Sequence, residues 1–189
     1  MSDGIKKYLL LLIILVSLLL PSYGQKYITR NGYIGFFSHT PIEDIKADNN
    51  QVASVLDAST GDLVFQVLVR SFHFVKTLME EHFNENYMES DKIPKSTFSG
   101  KIVNIKDVNF SKPGNYDVTV EGDLMIHGVT KKITEKGSLE VATDGINASS
   151  KFILTPEDFN INIPSVVRNN IAKTIEVTVN IKYTPVAGN

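Results

Sequence analysis

Apolar and polar residues alternate along most of Tyr116–Ile126. Tyr116, Val118, Val120, Leu124 and Ile126 fall on one parity, and Asp117, Thr119, Glu121 and Asp123 on the other. A period of two over this length predicts a strand with one buried face and one wet face. His127-Gly128 interrupts the pattern, and Val129–Ile133 resumes a strand-like run. The same alternation marks Ile175–Tyr183, with Ile175, Val177, Val179, Ile181 and Tyr183 inward and Glu176, Thr178, Asn180 and Lys182 outward. Further strands are predicted at Tyr33–His39, Ile42–Asp48, Val52–Leu56, Ser96–Ile105, Gly137–Ala142 and Ile146–Leu154. Asn49-Asn50, Asp57–Asp62 and Lys112–Asn115 carry turn chemistry. Asp144-Gly145 between two such runs is a hairpin signal. Leu63–Val69 is apolar on both parities, with Leu63, Phe65, Val67 and Val69 on one face and Val64 and Leu68 on the other. It reads as a strand covered on both sides.

One segment departs from the period of two. Val75, Leu78, Met79, His82, Phe83 and Tyr87 recur at helical spacing, while Lys76, Glu80, Glu81 and Glu85 lie off that stripe. This predicts a single amphipathic helix over Val75–Tyr87, inserted early among antiparallel strands. About eight strands of this kind are best accommodated by a closed barrel, which leaves no exposed sheet edges. Such an interior is either filled by side chains or hollow enough for one small ligand, and alternation reads the same in both cases.

Residues 1–24 read as a secretory signal peptide. Lys6 and Lys7 precede the apolar run Tyr8–Leu20, Pro21 ends it, and Ser22 and Gly24 place small residues before a cut at Gln25. The run falls short of the roughly 20 apolar residues of a membrane span. The expected product is an exported, periplasmic or secreted protein with one domain over residues 25–189. It contains no cysteine, so it has no disulfide framework, thiol nucleophile or thiolate metal site. The net charge is −2 with no basic cluster, which argues against nucleic acid as a partner.

Catalytic chemistry finds little support. His73, His82 and Glu85 lie around the helix, but the HExxH spacing of zinc hydrolases is absent. His82 belongs to the apolar stripe, as a packing histidine does. His127 sits at a predicted turn, where its ring is expected to bond backbone, and Asp158 is expected to brace a turn. Glu80 and Glu81 are adjacent on a helix and so diverge by about 100°. No G-x-S-x-G elbow occurs. No catalytic residue, metal site or cofactor is therefore assigned.

Three blocks bear a likeness to a known family. GDLMIHGVTK at 122–131 resembles the signature of the YceI-like family of secreted bacterial proteins. FHFVKTLMEEHFNENYMESDKIPKSTFSG at 72–100 is similar to its helix and following strand, with Lys92–Phe98 matching a "KYPxxxF" element except for Ile93. Thr155–Ile161 resembles a late "SDFGI" element, with Asn160 where glycine is usual. The resemblance implies a lipocalin-like barrel that binds a polyisoprenoid or similar long-chain amphiphile, and members are often homodimers. The expected lining is Phe65, Val67, Phe98, Leu124, Ile126 and Phe152, with Leu78, Met79 and Phe83 of the helix as a gate. Two other readings stay open. One is an enzyme acting on a polyprenyl or quinone substrate in the same cavity. The other is a filled barrel serving as an interaction module.

Overall fold

Eight antiparallel strands close on themselves, with the first paired to the last as well as to the second. The computed structural model describes residues 26–186, and the predicted signal peptide lies outside them. The strands are β1 (Lys26–His39), β2 (Asp44–Asp57), β3 (Asp62–Leu68), β5 (Lys95–Ile102), β6 (Gly114–Ile126), β7 (Val129–Val141), β8 (Ile146–Leu154) and β9 (Ile175–Pro185). Around the barrel they run β1-β2-β3-β5-β6-β7-β8-β9 and back to β1. A two-residue strand, β4 (His73–Phe74), adds onto β2. The inserted helix, α1 (Thr77–His82), widens into a π-helical turn over Phe83–Tyr87, where the Met88 amide donates to the Phe83 carbonyl at 2.9 Å. It starts later than the pattern predicts, because Lys76 is extended and Val75 stands in solvent.

The interruption at His127-Gly128 is a two-residue hairpin turn. Both residues have positive φ, 50° and 74°, and Ile126 pairs with Val129 on either side. Such a turn matches the right-handed twist of its strands. A continuous β7 joins the two predicted runs Val129–Ile133 and Gly137–Ala142. The residues between them carry Glu135 on the inner parity, which hides the strand from a pattern of apolar residues.

Two further expectations are corrected. Asn49-Asn50 is not a turn but lies within β2, at an irregularity in its pairing with β1. Asn49 is fully buried; its Nδ2 donates to the Leu68 carbonyl at 3.0 Å and its Oδ1 accepts from the Gln51 amide at 2.9 Å. This bulge shifts the inward parity from Ala47 to Val52, so both are buried without a break in the strand. The outer face of β3 is also not covered. Val64 and Leu68 face solvent, and only Leu63, Phe65 and Val67 turn inward.

The closed end of the barrel is the packed end. Leu56, Ile102, Ile146 and Tyr183 are fully buried there. The Tyr183 hydroxyl donates to Ser54 Oγ at 2.6 Å, and Ser54 donates in turn to the Val64 carbonyl at 2.8 Å. Burial pushes the Tyr183 phenol well above its ordinary pKa.

On the wall, the Tyr33 hydroxyl donates to Asp48 Oδ1 at 2.6 Å, and Lys46 Nζ stands 3.2 Å from Asp48 Oδ2. The hydrogen bond to Asp48, with burial and the carboxylate's charge, pushes Tyr33 up to about 12, and the same bond holds Asp48 below its usual range. The signs give two limbs. Asp48 contributes stability above its unfolded pKa of about 3.9 that is lost as pH falls through its lower folded value. Tyr33 contributes stability below pH 10 that is lost as pH rises toward about 12. Asp48→Asn is expected to flatten both limbs of a melting-temperature profile against pH. Unchanged limbs would mean that the pair is not coupled to folding.

Candidate functional site

Above the packed end, the inward residues stop meeting across the barrel and leave a cavity of about 420 Å³. Small-molecule sites commonly span roughly 300–1,000 Å³. The alternation read from the sequence supplies the walls: Val118, Val120, Leu124 and Ile126 from β6, Phe65 and Val67 from β3, and Phe152 and Leu154 from β8. Gly100 and Gly122 pair across β5 and β6. A Cβ on either would come within 2.6 Å of the Phe98 ring, so the missing side chains let that ring lie flat along the wall. Tyr183 and Leu56 form part of the floor.

An aromatic cluster holds the helix over the mouth. The Phe83 ring stands 5.6 Å from Phe36, 5.7 Å from Phe72 and 5.1 Å from Phe74 between centroids. Rings at these separations contribute contact beyond their buried area. Met79, Phe83 and Tyr87 thereby face the cavity, and burial raises the Tyr87 pKa. On the other side of the mouth, Val69, Met88, Phe159 and Ile161 form a second buried cluster against Ile126 and Leu154. Asn160 carries the left-handed φ of 56° that ends the turn Pro156–Phe159, a conformation asparagine tolerates better than most residues. His127 Nδ1 lies 3.3 Å from the Phe159 carbonyl, which ties the β6–β7 hairpin to this turn. The Asp158 side chain makes no hydrogen bond among the described residues, so the turn is braced without it.

The carboxylate of Glu43 gathers three loops at the rim. Lys76 Nζ lies 2.7 Å from its Oε1, and Asn170 Nδ2 donates to its Oε2 at 3.3 Å. Lys76 and Asn170 hold the Glu43 carboxyl below its ordinary pKa. On these loops and the first turn of α1 stand the four most exposed large apolar side chains of the described residues: Val75 at 95%, Val166 at 88%, Ile42 at 63% and Leu78 at 60%.

Of the nine residues expected to meet a ligand, Phe65, Val67, Met79, Phe83, Phe98, Leu124, Ile126 and Phe152 line the cavity. Leu78 does not; it points outward from the rim because the helix turns Met79 and Phe83 inward. The sequence reading missed Phe36, Phe72 and Phe74. Their signal was a concentration of phenylalanine on both sides of a chain break, which alternation alone does not resolve. It also missed Glu135, a carboxylate on the cavity wall. Burial raises the Glu135 pKa.

Among the described residues, no group of three or more His, Asp or Glu side chains could hold a metal ion. No hydroxyl on the cavity lining is hydrogen-bonded to a carboxylate or a histidine among the described residues. His82 reaches only the rim, and Glu135 has no hydrogen-bonded histidine or carboxylate partner.

Solved structures share the fold. A polyisoprenoid binding domain from Saccharophagus degradans implicated in plant cell wall breakdown superimposes with a TM-score of 0.74 at 12% identity, covering 85% of this chain and 98% of that one. Burkholderia cenocepacia BcnA gives 0.67 at 12% identity, covering 81% and 96%. The Campylobacter jejuni YCEI protein gives 0.57 at 17% identity, covering 79% and 90%. No curated protein matches the chain. The model of the YceI-like domain matches residues 28–183, from the third residue of β1 to Tyr183 on the cavity floor, and the chain belongs to the YceI-like family.

Proposed function

We propose that the protein binds a polyisoprenoid or similar long-chain amphiphile inside the barrel and carries or sequesters it after export. The observation that carries this reading is a hollow interior walled almost wholly by apolar side chains. An isoprenoid chain has no hydrogen-bonding groups along its length, so its affinity comes from leaving water. Burying roughly 500 Å² of chain at about 25 cal/mol per Å² supplies on the order of 12 kcal/mol, against which stand the costs of lost freedom and ordering. The eight lining residues named above are proposed as the contact surface, with α1 and its π turn as the cover that moves for exchange. The likeness to the Saccharophagus domain supports the same ligand class. A filled interaction module is disfavoured by the cavity, and an enzyme by the lack of an acid–base pair. Export rests on residues 1–24, and cleavage there leaves residues 25–189 as the carrier domain.

Native mass spectrometry of the protein from Gln25 onward, with organic extraction of what co-purifies, tests the reading. A discrete adduct identified as a polyprenyl chain is the expected result. No adduct, together with no uptake of polyprenol supplied in detergent, would overturn it.

A further inference from the structure

Glu135 is out of place on an apolar wall. The inner parity of β7 reads Ile133, Glu135, Gly137, Leu139, and Glu135 pairs across β6 with Val120, itself a lining residue. It lies six residues from the hairpin at Val129, or about 20 Å along the strand, near the middle of the barrel. Pairing between β7 and β8 ends at Gly137 with Ser150, so Glu135 stands beyond the last β8 partner, where the two strands part. The other carboxylate on the cavity wall, Glu43, is engaged by Lys76 and Asn170. Among the described residues the Glu135 carboxylate has no hydrogen bond and no ion pair. The nearby Ser150 hydroxyl already donates to the Lys136 carbonyl at 2.6 Å, so it is not a donor for Glu135.

Water can solvate this carboxylate while the cavity is open. A hydrocarbon chain filling the cavity would strip that water and leave the group unpaired in apolar surroundings, which is strongly disfavoured. A ligand that places a hydrogen-bond donor at this depth removes the conflict, and bonds to a carboxylate are among the stronger ones. A phosphate or carboxylate at the same depth would add like-charge repulsion to the desolvation.

We propose that Glu135 is a selectivity residue, accepting a hydrogen bond from an uncharged hydroxyl or amide N–H on the lipid and rejecting anionic head groups. This rests on the lipid-carrier reading and deepens it by naming the head-group class.

The test compares three ligands sharing one isoprenoid chain: geranylgeraniol, geranylgeranyl phosphate and the corresponding hydrocarbon. Each is supplied in detergent to wild type, Glu135→Gln and Glu135→Leu. Wild type is expected to prefer the alcohol to either competitor by about tenfold, the scale of one hydrogen bond to a charged group. Glu135→Gln keeps an acceptor, so it retains the alcohol and gains affinity for the phosphate. Glu135→Leu binds the hydrocarbon at least as well as the alcohol. The same preference order in wild type and Glu135→Leu, or a wild-type preference for the phosphate, would overturn the selectivity role alone. Failure of wild type to bind any of the three would overturn the carrier reading and this role with it. Thermal melts of the variants guard against misfolding, since neither substitution removes a hydrogen bond or ion pair among the described residues.

Discussion

Replacing Leu124 with arginine is expected to abolish lipid uptake while the barrel stays folded. Leu124 pairs with Phe98 across β5 and β6, lines the cavity, and packs against both buried clusters. It lies two residues before the end of β6, and an arginine there can extend its head toward the mouth and water, so the unliganded protein tolerates it. A bound chain would have to cover that charge. Leaving a guanidinium without a partner in an apolar site costs several kcal/mol, and the expected loss of affinity is on the order of a hundredfold or more. Leu124→Met, which conserves volume and polarity, should bind as wild type does. Titration of the two variants with polyprenol, alongside circular dichroism melts, separates lost binding from lost folding. Undiminished uptake by a folded Leu124→Arg variant would mean that the chain does not pass this part of the wall.

The largest effect on stability is expected at Tyr183. Its ring is fully buried on the cavity floor, among the side chains that seal the closed end. Tyr183→Ala removes a large, fully buried aromatic side chain. Substitutions of that kind cost about 3–5 kcal/mol. At about 2–4 °C per kcal/mol for a domain of this size, the melting temperature should fall by roughly 10 °C or more. Tyr183→Phe keeps the ring and loses one hydrogen bond. Ser54 retains the Val64 carbonyl as its acceptor, so this change should cost only about 1 kcal/mol. Thermal melts of the two variants give the comparison directly. Equal destabilisation would show that the hydroxyl, rather than the ring, holds the floor in place.

Much of the fold was legible because strand alternation is a local property. Tyr116–Ile126 and Ile175–Tyr183 each fall within a strand whose inner face is the one read from parity. The break at His127-Gly128 was legible too, because the alternation stops there at a glycine, and the turn it marks has positive φ at both residues. The bulge at Asn49 was not, because asparagine is the same local signal for a turn and for a bulge. What separates them is the Leu68 carbonyl, brought within reach only by folding. Leu78 and Met79 differ by one position on a stripe, and which of them faces inward depends on how Phe83 seats among Phe36, Phe72 and Phe74.

The sequence by itself determined the barrel class, the apolar inner face, the presence of one inserted helix and most of the proposed lining, because each follows from periodicity and short-range turn chemistry. Only the tertiary structure decided that the interior is hollow above Tyr183, that α1 is pinned by phenylalanines distant in the chain, and that Glu135 stands unpaired on the wall. Alternation specifies which side of a strand a residue occupies. Whether that side meets another side chain, empty space or a charge depends on strands far apart in sequence, and is settled only when β1 pairs with β9.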